Sequence, residues 1–144
     1  MNDALITAYQ KEQAERVRRL PLLQAALLAR LARAKVDLVE IPYDGEGDNG
    51  QIEGVHAYDG DGAPVVLGSN AVRLALQPDE PALRFNSLSA ALEDFAWQLL
   101  GQYHAGFEND GGGYGQIIFR VPRASVTIDH NDRFTDVVNC VTEV

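Results

Sequence analysis

The sequence predicts an α+β fold of two layers: an antiparallel sheet of about five to six strands with two to three helices on one face. Three observations predict it. Two segments, residues 22–34 and 87–103, repeat their apolar residues every three to four positions, the helical period. Short runs of alternating apolar and polar residues lie between and after them. The joints between those runs are too short for parallel crossovers, so the strands pair antiparallel. With 144 residues and 46% apolar content, the chain fits one domain, residues 1–144, around one core.

The elements follow in order. Residues 3–19 read as a helix with Asp3 as N-cap, polar round most of its surface, so residues 1–20 form a peripheral helix. Pro21 suits the first turn of a second helix, in which Leu23, Leu27, Leu31 and Ala34 make one apolar line. A bend is expected at residues 20–21, with one kinked helix as the alternative. Residues 36–43 and 51–58 alternate as two strands of an antiparallel hairpin joined by a long loop. Asp59-Gly60-Asp61-Gly62 is a turn, and Pro64-Val65-Val66-Leu67 a short edge strand, a place that tolerates proline. Residues 68–86 read as irregular, punctuated by Pro78 and Pro81, apart from a short turn over 70–76.

Ser87 or Ser89 caps the next helix, whose face carries Leu88, Leu92, Phe95, Leu99 and Tyr103, widened by Ala91 and Ala96. Trp97 falls opposite that stripe. It either contacts another layer or stands as an aromatic anchor for a partner. Residues 116–121, 125–129 and 134–142 are then three strands of a meander. Cys140, the single cysteine, lies in the last of them and reads as a small buried apolar residue. It excludes an internal disulfide framework.

The net charge is −9 and the isoelectric point about 4.6. Phosphate backbones need basic surface, so direct nucleic-acid binding is not expected. No run of about 18 apolar residues spans a membrane and no secretory signal opens the chain, so a cytoplasmic protein is expected. The charge is unevenly spread. Residues 1–35 hold seven basic and three acidic side chains, while from Val36 to Val72 eight carboxylates face no Lys or Arg. Such a segment repels itself unless a cation or a basic partner relieves it.

Two glycine-rich acidic stretches concentrate this character: Tyr43-Asp44-Gly45-Glu46-Gly47-Asp48-Asn49-Gly50-Gln51-Ile52-Glu53-Gly54 and Phe107-Glu108-Asn109-Asp110-Gly111-Gly112-Gly113-Tyr114-Gly115-Gln116-Ile117. Read as loops, both are costly to order, which points to use. A calcium loop of the EF-hand kind starting at Asp44 fails, because its sixth and twelfth residues are Asn49 and Val55. A divalent-cation site outside that pattern remains open, with Asp44, Glu46 and Asp48 as ligands. Asp59 or Asp61 would add to that set, and Glu108 or Asp110 would complete the shell or act as base. The glycines of the second stretch lead into a strand and have no adjacent lysine, so they do not cradle phosphate. His56, His104 and His130 show no metal-ligand spacing, and no serine has a triad context. No residue is singled out as catalytic, and no cofactor is implied.

At these two stretches the chain resembles the DUF6878 family of small uncharacterised bacterial proteins. The resemblance rests on Tyr43 to Ile52, on Gly106 to Gly115, and on the turn Asp129-His130-Asn131-Asp132-Arg133-Phe134. It covers about residues 36–140. Phe107 stands where the family pattern has tryptophan. The resemblance implies that both stretches and the late turn belong to one shared surface. It carries no activity, and likeness to cargo of mobile elements implies a role between such elements and their hosts.

The favoured expectation is a non-enzymatic interaction domain docking on a basic protein surface through Asp44, Glu46, Asp48, Glu53, Asp59, Asp61, Trp97, Glu108, Asn109, Asp110 and Tyr114. The alternative is the divalent-cation domain or a cation-dependent enzyme. A third reading makes the loop glycines and Asx residues self-bonded turns that knit the hairpins together.

Overall fold

The computed structural model describes residues 3–46, 49–107, 112–133 and 138–144. It shows an α+β architecture of two helices and a large antiparallel sheet. Helix α1 spans Asp3–Arg33 and α2 spans Leu88–Tyr103. The large sheet holds β1 (Leu38–Glu46), β2 (Asn49–Ile52), β3 (His56–Tyr58), β4 (Pro64–Val65), β7 (Gly113–Arg120), β8 (Ser125–Asp132) and β9 (Val138–Glu143). Its order is β4-β3-β1-β7-β8-β9, with β2 also paired to β1. β5 (Val72–Leu74) and β6 (Leu83–Phe85) form a separate two-stranded ribbon.

The two expected N-terminal helices are one. Pro21 lies inside α1, where a proline costs about 3 kcal/mol. Leu20, Leu23, Leu27, Leu28 and Leu31 continue one buried stripe through it. At about 1.5–3 kcal/mol per buried leucine, that stripe outweighs the proline. Residues 3–12 and 14–19 are exposed, so the N-terminal half of α1 is peripheral. The helix stops in a Schellman turn: Val36 N–H donates to the Leu31 carbonyl and Lys35 N–H to that of Ala32. Lys35 takes the left-handed conformation at φ 60° that glycine usually fills there.

α2 is capped by Ser87, whose Oγ accepts from Ala90 N–H at 3.0 Å. Its buried residues are those of the predicted stripe plus Leu100, without Tyr103, which is 41% exposed. Phe95 meets Phe119 edge-on at 5.6 Å and ties α2 to the sheet. The inward sheet positions are Val39, Ile41 and Tyr43 on β1, Ile117 and Phe119 on β7, and Val126, Ile128 and His130 on β8.

Both glycine-rich stretches differ from the loops expected of them. β1 continues to Glu46 and pairs with β2 from Tyr43↔Ile52 to Glu46↔Asn49. β7 begins at Gly113, and its glycines pair on both sides, with β1 and with β8. The irregular reading of 68–86 is also corrected, since Val72 pairs with Phe85 and Leu74 with Leu83. Cys140 is exposed on the edge strand β9, not buried.

Candidate functional site

The described residues of the two stretches and the late turn meet at one end of the sheet, on both of its faces. On the inner face the register places Tyr43, Gly115 and His130 in one row across β1, β7 and β8. Tyr43 and His130 are two strands apart, yet the phenol oxygen lies 2.6 Å from His130 Nδ1. They reach each other because Gly115 between them has no side chain. A Cβ there would fall on the Asp129 carbonyl oxygen and 2.9 Å from the Tyr43 hydroxyl. Gly113 leaves space in the same way, since its Cβ would stand 2.7 Å from His130 Cε1. Gly112, at φ 81°, has its missing Cβ directed at the Gly45 carbonyl.

The other ring nitrogen of His130, Nε2, is 2.8 Å from Asp132 Oδ1. Tyr43 and His130 are buried, while the Asp132 side chain is half exposed. Burial, and then the charges of Asp129 and Asp132, push the Tyr43 phenol well above its usual pKa. The phenol therefore keeps its proton, and with the Nε2–H tautomer of His130 it donates to Nδ1 while Nε2–H donates to the carboxylate. Each group in this chain has its partner, and the hydroxyl is sealed from solvent.

Two more rings close over it. His104, at the C-terminal cap of α2, stacks on His130 with centroids 4.0 Å apart and planes 19° off parallel. Its Nε2 is buried without a hydrogen-bond partner. Burial first, and His130 second, hold its imidazole below the ordinary pKa of 6.5. Phe107 is buried edge-on against Tyr43 at 5.3 Å, and Trp97 lies 6.1 Å from Phe107. The aromatic that opens the second stretch is thus packing for the aromatic that opens the first.

On the outer face Arg133 joins the same segments. Its Nη2 is 2.7 Å from Asp44 Oδ1, an ion pair off the line of a well-directed hydrogen bond. Its Nη1 donates to the Gly45 carbonyl at 2.9 Å, and its guanidinium carbon sits 4.7 Å from the centre of the Tyr114 ring. Its backbone N–H donates to the Gly112 carbonyl. Asn139 donates to Asp129 Oδ1 and Asn131 Oδ1, each at 2.7 Å, and extends the outer network to β9.

The structure separates the predicted acidic set. Asp44 is neutralised by Arg133. Asp59 serves its own turn, its Oδ1 accepting from Asp61 N–H and Ala63 N–H, both at 2.9 Å. Glu46, Glu53 and Asp61 are exposed at separate points along the chain. Trp97 is 42% exposed on α2, on the inner side with Phe107, and Tyr114 lies under Arg133. Asp48, the third member of the expected cation trio, lies outside the described residues, as do Glu108, Asn109 and Asp110. Among the described residues no group of three His, Cys, Asp or Glu side chains is placed to hold a metal ion.

Sequence reading missed the centre built on His130. It treated each histidine singly and looked for metal spacing. The available signal was the period of two in Gly113-Tyr114-Gly115. In a strand it clears one face for large neighbours and keeps Tyr114 on the other.

No curated protein and no solved structure matches the chain. Residues 20–144 match the family of unknown function DUF6878, and the match begins at Leu20, the first buried residue of α1. The chain belongs to that family.

Proposed function

We propose that this protein is a non-enzymatic interaction domain whose acidic side docks on a basic surface of a protein partner. One observation carries the reading. The described carboxylates of the basic-free segment 36–72 are spread along the surface, not gathered to a point. Among those described, only Asp44 is in an ion pair with a basic side chain. Glu46, Glu53 and Asp61 form no ion pair among the described residues and are exposed. The Tyr43–His130–Asp132 chain supports the same reading, because its hydroxyl is sealed beneath Phe107 and serves packing. The likeness to mobile-element cargo directs the proposal toward a host or defence protein.

The test is affinity capture from host lysate, with the protein and a Glu46→Gln/Glu53→Gln/Asp61→Asn variant as baits. These three side chains hold no described contact that the fold needs, so the variant should melt with the parent. Long-range attraction of this kind weakens as the screening length falls to about 8 Å at physiological salt. A partner retained at low salt, released as salt rises and lost with the variant is expected. Equal retention by both baits, or no retained protein at low salt, would refute the proposal.

A further inference from the structure

The acidic protein also carries a hollow lined by basic side chains. A cleft of about 770 Å³ lies between α1, α2 and the strand β6. That volume is in the range that holds a small organic ligand, roughly 300–1,000 Å³. Its walls include the apolar side chains of Leu20, Phe85 and Trp97, and its rim carries Arg16, Arg19 and Arg84. Three guanidinia face a single lining carboxylate, Asp94, which accepts from Gln98 at 2.7 Å.

The arginines are available. Neither Arg19 nor Arg84 is in an ion pair among the described residues. Arg84 has only a 3.5 Å contact to Asn86 Oδ1, at the outer limit for a hydrogen bond. Arg16 pairs with Glu12 one turn away, with both side chains 61% exposed, so exchanging that partner costs little. The neighbouring Arg18 is engaged differently. It bridges Glu15 and Glu80, each at 2.9 Å, and pins α1 to the segment before β6. Arg18 thus ties α1 to that segment, while the other three arginines line the hollow. Trp97 is 42% exposed on the solvent side of α2, where its ring forms part of the cleft wall.

We infer that this cleft is a binding site for a small amphipathic carboxylate, an acid with an apolar aliphatic or aromatic body. The guanidinium fork matches a carboxylate in a way that a neutral head group does not, and the apolar walls take up the body. Arg16 and Arg19 precede the residues that match the family, whereas Arg84 and Trp97 lie within them. The charge of the site is therefore largely a property of this chain's own N-terminal segment.

Trp97 is the only tryptophan in the chain and lines the cleft, so its fluorescence reports on binding there. The test titrates the full chain with octanoate and, in parallel, with 1-octanol. Octanoate should shift Trp97 emission saturably and raise the melting temperature by calorimetry. Octanol should bind about 10- to 100-fold more weakly, the size of a lost charge-assisted contact. Arg19→Gln and Arg84→Gln, both surface changes whose folding is checked by circular dichroism, should weaken octanoate by a similar factor and leave octanol unchanged. No spectral or thermal response to octanoate, equal binding of octanoate and octanol, or folded arginine variants that bind octanoate like the parent would each overturn the inference.

Discussion

Replacing Gly115 by alanine should be among the most damaging single-methyl additions to this protein. The new Cβ would meet the Asp129 backbone carbonyl on one side and stand 2.9 Å from the Tyr43 hydroxyl on the other. A backbone oxygen cannot swing aside, so β7 must shift from β8 or the Tyr43–His130 bond must open. Overpacking of this kind costs about 1–3 kcal/mol. Opening the bond strands two buried polar atoms and adds about 1–3 kcal/mol. The expected loss is therefore about 1–3 kcal/mol if only the strands shift and about 2–6 kcal/mol if the bond opens as well, a large share of a typical stability of about 5–15 kcal/mol. The control is Gly101→Ala on α2. No atom lies within 4 Å of the Cβ it would add, and removing a helix glycine stabilises by roughly 0.5–1 kcal/mol. Urea unfolding of the two variants beside the parent reads both values. The same chemical change should thus carry opposite signs at the two positions. A Gly115→Ala variant within about 0.5 kcal/mol of the parent would refute the account, because surface-like tolerance of that size has no place in the row described.

Two further effects follow from local geometry. Lys35→Gly should raise stability by about 0.5–1 kcal/mol, since lysine is strained at a left-handed φ that glycine adopts freely; an unchanged or lowered urea midpoint would show that the side chain compensates. His104 has a folded-state pKa below its ordinary 6.5, so the unfolded chain takes up its proton more readily. Its contribution is whole above about pH 6.5 and declines as the pH falls below that value. Between about pH 7.5 and pH 5.5 the parent's melting temperature should fall further than that of a His104→Gln variant. Equal falls would place the acid sensitivity in other groups.

Much of the fold was legible because the burial of apolar side chains alone decides many of its elements. The α2 stripe from Leu88 to Leu99 and the alternation of Val39 and Ile41 are patterns of this kind. At Pro21 the sequence left open a bend between two helices or one kinked helix, and the leucine stripe that runs across the proline decides for one helix. The glycine-rich stretches, by contrast, were misread. Glycine is a turn residue by backbone freedom, but Gly113 and Gly115 are strand residues selected by what sits above them. That neighbour is His130, fifteen residues beyond Gly115, and nothing local announces it. The ribbon of β5 and β6 escaped because three residues per strand give too few alternations to read. The acidic side chains were visible individually. Their separation into a turn former, an ion-pair partner and exposed carboxylates depends on Arg133 and the Asp59 turn, which only the folded chain brings into place.

The exposed N-terminal half of α1 has a consequence beyond packing. Its cations Lys11, Arg16, Arg18 and Arg19 are nearly balanced by Asp3, Glu12 and Glu15, but with Arg30, Arg33 and Lys35 the first 35 residues carry a net charge of +4, while the uninterrupted acidic segment belongs to strands β1 to β4. Separated charges of opposite sign make an electric dipole, and a dipole feels a torque in a non-uniform field as well as a pull. Beside a highly charged neighbour the protein should arrive already rotated, with one end leading, before any surface touches.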